Sequence, residues 1–345
     1  MYFNRFILLL TTLITASLVF DKKYTERTDV NGQTTIISSL ENTKIEKKVE
    51  ESEKLYDENK FIASKLATTA RLANHIFELV SIYGIARKLR RAPQIYVLDK
   101  KYEKLIEGMQ KVMPGLINEF EIKHEKIVPK TAKNIEFNVK CCVFEDLGIL
   151  RKNENASLIY STGHFYQSYK YFDEFREEVL EMVAEKKDFG KLPVDGTKIC
   201  IHIRRGDFLD GQHHSTQTNF TLAAYNFILE TEKPTDPKII IMGDDLKYEQ
   251  SLFPKNSSNV FISNLSPSDD LIYAKYHCDI TLITAPSSTF GWWISYFSKS
   301  QKVYYQDIRV TNDVNFKKGE LEPLDFYPPN WNSLILTRSG GIQKT

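Results

Sequence analysis

Lys198–Phe208, KICIHIRRGDF, sets a short apolar segment directly against a cluster of charge. Ile199, Cys200, Ile201 and Ile203 read as a buried strand free of proline and glycine, and Gly206 stops it. The charge then falls at the strand's C-terminal end, which is where ligands bind in open α/β sheets. Arg204 and Arg205 would present planar guanidinium forks there that stay protonated and match the oxygens of a phosphate. The expected guest is an anion. Asp207 is expected to orient one of the arginines, and His202 lies two residues upstream of the pair. An adhesive reading of Arg205-Gly206-Asp207 fits poorly, because such a tripeptide belongs at an exposed loop tip rather than against a core strand.

The alternation of elements around this stretch gives the fold class. Downstream, a helix over Leu222–Glu230, a strand over Lys238–Met242, a strand over Val260–Ile262, a helix opened by Ser266 and Pro267, and a strand over Asp279–Thr284 are expected. Upstream, Leu66 to Ala86 carries an apolar helical face and ends on Arg87, Lys88, Arg90 and Arg91 before Pro93. Strands at Gln94–Leu98, Asn138–Phe144 and Ser157–Ser161 and helices at Lys101–Val112 and Phe172–Ala184 follow. Strands alternating with helices mean α/β architecture with parallel sheets. A chain of 345 residues exceeds what one core usually supports, so two domains are expected, 63–192 and 193–345.

The net charge of +1 argues against broad neutralisation of a nucleic-acid backbone. Phe6–Phe20, FILLLTTLITASLVF, is apolar and free of charge between Arg5 and Asp21. It reads either as a short signal anchor, with residues 1–5 as the tail, or as a signal peptide cut near Ala16 or Ser17. Both readings send the remainder into the secretory pathway. Residues 21–62 are dense in charge and poor in large apolar side chains, the composition of a stem. Asn155, Asn219, Asn256 and Asn264 then become candidate glycosylation sites by their tripeptides. The four cysteines leave bridges and buried thiols equally open, since Cys141 and Cys142 are adjacent and Cys200 sits within a strand.

A second chemical feature lies at Ala285–Phe290, between a strand and the aromatic stretch GWWISYF. Ser287, Ser288 and Thr289 at a helix N-terminus, with free backbone N–H groups and the positive end of the dipole, form an anion cradle. Trp292, Trp293 and Tyr296 read as the packing face of that helix. No Asp-x-Asp, P-loop or G-x-G-x-x-G motif occurs, and His213 and His214 have no third ligand at metal spacing. A diphosphate held without metal needs arginines and dipoles instead.

HIRRGDF, SSTFGWWISYF, ARLANHIFELVSIYGIARKLRR and GHFYQSYKYF together resemble the galactoside α1,2-fucosyltransferases of the secretory pathway, in collinear order from Ala70 to Phe297. The resemblance implies a GT-B architecture, two Rossmann-like domains facing across a cleft, with GDP-β-L-fucose held by the C-terminal one. It implies a type II Golgi membrane enzyme that inverts the anomeric centre, needs no metal or other cofactor, and takes a β-galactoside-terminated glycan as acceptor. Carried over, His202, Arg204, Arg205 and Asp207 match the diphosphate motif, and Ser287, Ser288, Thr289 and Phe290 match the second donor element. Asp244 and Asp245 lie where the family contacts the nucleotide. His202 and Asp207 are the positional candidates for a general base. The family's loop normally reads G-x-L-G-N-Q, whereas this chain has Ala70-Arg71-Leu72-Ala73-Asn74-His75, keeping Asn74 for the donor. Alanine costs on the order of 1 kcal/mol or more where the backbone needs a positive φ or a close approach to the donor, so glycines at 70 and 73 are expected to tighten donor binding. A different acceptor, or a catalytically silent binder of the same fold, are the alternatives to this activity.

Overall fold

The computed structural model describes residues 55–254 and 257–345, so the expected tail, the anchor, nearly all of the stem and Asn256 lie outside the described residues. Among the described residues no helix is long and apolar enough to cross a membrane.

Two sheets form. β1 (Asp57–Ser64), β2 (Arg91–Tyr96), β3 (Glu121–Lys123), β4 (Lys133–Ile135) and β5 (Leu158–Ser161) pair in the order β3-β2-β1-β5-β4, all parallel. The second sheet contains β6 (Thr197–His202), β7 (Pro237–Met242), β8 (Val260–Ile262), β9 (Cys278–Ile283), β10 (Lys302–Gln306), β11 (Asn332–Leu336) and β12 (Ile342–Lys344). Its order is β12-β11-β10-β9-β6-β7-β8, with only β12 antiparallel. Ile199, Cys200 and Ile201 on β6 and Ile240, Ile241 and Met242 on β7 are fully enclosed, as strands covered on both faces must be. Because β6 lies between β9 and β7, its C-terminal end opens in the interior of the sheet's edge.

The main helices are α1 (Leu72–Leu89), α2 (Lys100–Val112), α3 (Thr218–Glu232), α4 (Leu246–Leu252), α5 (Pro267–His277) and α6 (Thr289–Phe297). α5 starts as its sequence implies: the Ser266 side chain accepts the Asp269 N–H, and proline takes the first helical position.

Several expectations need correction. The stem does not run to residue 62, because β1 begins at Asp57. Only its last three residues are buried, so its charged first half has stem-like composition although it belongs to a strand. Asn138–Phe144 forms no strand. Asn138 takes a left-handed backbone (φ 58°), and its amide donates to Val143 O and Tyr171 Oη at 2.8 and 2.7 Å, closing a turn where a ladder was expected. The edge strand is the polar β4 instead. The helix expected over Phe172–Ala184 is broken into a 3₁₀ turn, Asp173–Phe175, and a six-residue helix, Arg176–Glu181. The cysteines are paired, Cys200 with Cys278 across β6 and β9, and Cys141 with its neighbour Cys142.

Residues 55–345 form one compact unit, and its main core crosses the division expected at residue 193. Phe77 of α1 packs 4.5 Å from Trp292 and 4.9 Å from Trp293 of α6, and Phe172 stacks on Trp293 at 5.7 Å. Trp292 Nε1 donates to Phe326 O at 2.8 Å, satisfying its one polar atom. Trp292, Trp293 and Tyr296 are at most 1% exposed, so the aromatic helix is a packing element that joins the two sheets.

Candidate active site

Each chemical motif meets the others at the C-terminal end of β6. The chain leaves the strand at His202 and enters a 3₁₀ turn, Gly206–Asp210. Glycine at 206 leaves room for the Asp244 carboxylate, which a Cβ there would crowd and which accepts the backbone N–H groups of Arg205 and Gly206 at 2.8 and 3.3 Å.

The two arginines are held differently. Arg204 spans two carboxylates, with Nη1 2.7 Å from Asp244 Oδ2 and Nη2 2.5 Å from Asp207 Oδ1. Arg205 donates through Nε to Asp245 Oδ2 at 3.0 Å and through Nη1 to Thr216 O at 3.2 Å, and its guanidinium lies 4.0 Å from the centre of the Tyr248 ring. Asp245 also caps α4 by accepting the Tyr248 N–H. That bond first, and the Arg205 guanidinium after it, hold its carboxyl below the usual range. Asp207 orients an arginine, and it reaches Arg71 as well, at 3.3 Å. Asp244 and Asp245, placed by family position at the nucleotide, both contact the arginines. Each terminal nitrogen of Arg204 keeps one further N–H for an anion.

His202 is 2% exposed, and both of its ring nitrogens are engaged, Nδ1 with Met242 O at 3.2 Å and Nε2 with Ser288 Oγ at 2.8 Å. Burial pushes its imidazole down to about 4, against the opposing pull of Asp244 and the Met242 carbonyl. It is therefore neutral, with the proton on Nδ1 facing the carbonyl. A histidine so enclosed is a tie between β6 and the Ser288 turn and is not placed to act as a base. The Phe290 ring lies 5.8 Å from it, and a Cβ at Gly291 would fall inside it, so glycine there permits the close approach of α6.

The hydroxyls of the Ser287–Thr289 turn are committed within the protein. Ser287 donates to Asp313 Oδ2 at 2.5 Å, Ser288 faces His202, and Thr289 donates to Asn74 Oδ1 at 2.8 Å. What the turn can offer an anion is the backbone N–H groups of the first turn of α6 and its dipole.

Sequence reading missed Thr216, Thr284 and Asp313. Thr216 Oγ1 accepts the Arg204 N–H at 2.9 Å and meets Thr284 Oγ1 at 2.7 Å, and Thr284 donates to His202 O at 2.6 Å. Asp313, 0% exposed, accepts the Ser287 hydroxyl and the His214 N–H and lies 3.5 Å from His213 Nδ1. Burial works to raise the Asp313 carboxyl, yet His213, Ser287 and the His214 N–H hold it below the usual range, and Asp313 in turn raises His213. No local pattern marks these residues, since their partners are distant in the chain.

The Ala70–His75 loop holds no backbone conformation that calls for glycine. No residue in it has a positive φ, Arg71 precedes α1 at φ −89°, and Ala73 is buried in the helix's first turn. Positive φ therefore gives no ground for a gain from glycine at 70 or 73. Ala73→Gly should leave GDP affinity unchanged in a calorimetric titration and lower stability by about 0.5–1 kcal/mol, read as a lower melting temperature.

The glycosylation candidates stand apart from the cluster. Asn155 is exposed in a turn, and Asn264 is exposed just before α5. Asn219 is exposed on α3, but Thr221 of its tripeptide is buried, with its hydroxyl on Gln217 O.

Comparison with known proteins gives a family for this arrangement. The profile described as Glycosyl transferase family 11 matches residues 33–335. A Caenorhabditis elegans protein provisionally named a glycosyltransferase is 50% identical over 295 residues, covering 80% of each chain. A galactoside 2-alpha-L-fucosyltransferase of the same organism is 33% identical over 314 residues, covering 79% of this chain and 76% of that one. A solved structure of an Arabidopsis thaliana FUT1 variant in complex with GDP is similar over 75% of this chain and 73% of its own, at 10% identity and a TM-score of 0.45.

Proposed function

Since this chain belongs to glycosyl transferase family 11, we propose that it transfers L-fucose from GDP-β-L-fucose to the 2-hydroxyl of a terminal β-galactoside, with inversion at the anomeric carbon. The observation that carries this reading is the convergence of Arg204, Arg205, the α6 N-terminus and Asn74, which lie far apart in sequence, on one end of β6. In a single displacement, the acceptor oxygen bonds to the anomeric carbon as the bond from that carbon to the phosphate oxygen breaks. GDP leaves with the electron pair. Charge therefore grows on the diphosphate, where the arginines and the helix dipole favour it without reorganising. The adjoining carboxylates fix the guanidinium planes in advance. His202 has both ring nitrogens engaged and Asp207 holds Arg204 and Arg71, so the acceptor's proton passes to solvent water as the new bond forms.

No divalent ion is part of this reading, because guanidinium groups take the place of an Asp-x-Asp metal site. The same reading puts the chain in the Golgi membrane through Phe6–Phe20, with the catalytic part in the lumen. The test is fucose transfer to lactose from GDP-fucose in excess chelator. Turnover that persists is the expected result, and turnover that vanishes and returns only with Mn²⁺ or Mg²⁺ would remove the arginine account. Tight GDP-fucose binding without transfer or hydrolysis would make the chain a binder instead.

A further inference from the structure

GHFYQSYKYF has no part in the donor chemistry above, yet it holds an unusual backbone. Phe165 and Tyr166 are both left-handed, at φ 60° and 51°, a conformation that bulky residues seldom take and that collects at functional sites. Tyr166 keeps the bend in place. Its phenol is 2.7 Å from both Ser64 Oγ and Ser161 Oγ and accepts the Gly163 N–H at 2.9 Å, while its carbonyl accepts the Ser81 hydroxyl at 2.8 Å.

The bend delivers Gln167, which is 5% exposed and anchored by its N–H to Cys141 O at 2.7 Å. Gln167 Nε2 donates to Asn74 Oδ1 at 3.1 Å, and the other end of its amide, Oε1, lies 3.1 Å from Cys142 Sγ. Thr289 donates to the same Asn74 oxygen. With both acceptor sites of Oδ1 taken, the unfilled capacity of the Asn74 side chain is its Nδ2 donor, which has no hydrogen bond among the described residues. The two holders are not equivalent. A hydroxyl can accept as well as donate, so Thr289 tolerates either face of the Asn74 amide, whereas the Gln167 NH₂ tolerates only the oxygen.

We propose that Gln167 is a positioning residue for the donor site: it fixes the Asn74 amide so that Nδ2 is presented to an oxygen of the nucleotide diphosphate. Without it the amide is free to turn over and set Oδ1 against an anion. This inference rests on the GDP-fucose reading given above.

The test is a double-mutant cycle read by calorimetric titration of GDP, with melting temperatures alongside, on the wild type, Gln167→Met, Asn74→Ala and the double variant. Gln167→Met is expected to weaken GDP about tenfold, the scale of one hydrogen bond to a charged group, and to change nothing further once Asn74 is alanine. If Gln167→Met does not fold, Gln167→Glu keeps the shape while offering Asn74 Oδ1 only acceptors, and should give the same pattern. Equal weakening in both backgrounds, or none in either, would overturn the role of Gln167 and leave the donor assignment intact. A wild type that does not bind GDP would defeat the donor assignment itself, and this inference with it.

Discussion

Arg204→Lys is expected to lower kcat for fucose transfer by roughly a hundredfold or more, equivalent to about 2–4 kcal/mol of lost transition-state stabilisation. The guanidinium of Arg204 holds Asp207 and Asp244 at once and still has N–H groups left for an anion. An ammonium is a compact point charge that cannot span both carboxylates and reach the phosphate in one geometry. Arg205→Lys should also cost activity, and it gives up the face of the Tyr248 ring. The ion pairs add a stability component, so Arg204→Lys should lower stability by about 1 kcal/mol through the carboxylate left unmatched. Asp207→Asn reverses the balance: a modest change in GDP affinity with a visible fall in melting temperature, since the work of Asp207 is to hold Arg204 and Arg71. The measurements are kcat, GDP affinity and thermal unfolding for the three variants. Near-normal kcat in both lysine variants would make the cluster structural and send the search for the diphosphate site elsewhere.

Trp292→Ala is expected to destabilise the protein by about 3–5 kcal/mol. Trp292 is fully buried where α1 of the first half meets α6 of the second, against Phe77, stacked on Tyr296 at 4.8 Å and near Trp331 at 5.2 Å. Truncation leaves a cavity that rigid aromatic neighbours on two elements cannot close, and it strands the carbonyl of Phe326. Because the core runs through both sheets, calorimetry of residues 55–345 should show one transition that moves as a unit. Two transitions, with only one displaced by the substitution, would mean that the halves fold independently and that the aromatic join is peripheral.

The elements that carry the candidate site were legible in the sequence because their signals are local. A β-branched run ended by Arg204, Arg205 and Gly206 reads as a strand followed by fixed charge, and Ser287–Thr289 before an aromatic run reads as a helix start. Period and punctuation are properties of neighbours, so they survive in the order of residues. The break in the helix expected over Phe172–Ala184 and the turn at Asn138 were not legible, because Tyr171, 33 residues away, holds Asn138 and no local pattern records that pairing.

What only the tertiary structure decided is how the charges are spent. Sequence gave His202 the standing of a base by position, but the folded chain encloses it between Met242 and Ser288 and keeps it neutral, because desolvation outweighs the nearby Asp244 charge. The hydroxyls of the Ser287–Thr289 turn are taken by Asp313, His202 and Asn74. Phe77 and Trp292, 215 residues apart, bury each other across the division read from length. Amino-acid order determined which groups stand at the end of β6; long-range packing determined which of them keep a hydrogen-bonding group uncommitted, because a hydrogen bond's second partner is set by space and not by spacing in the chain.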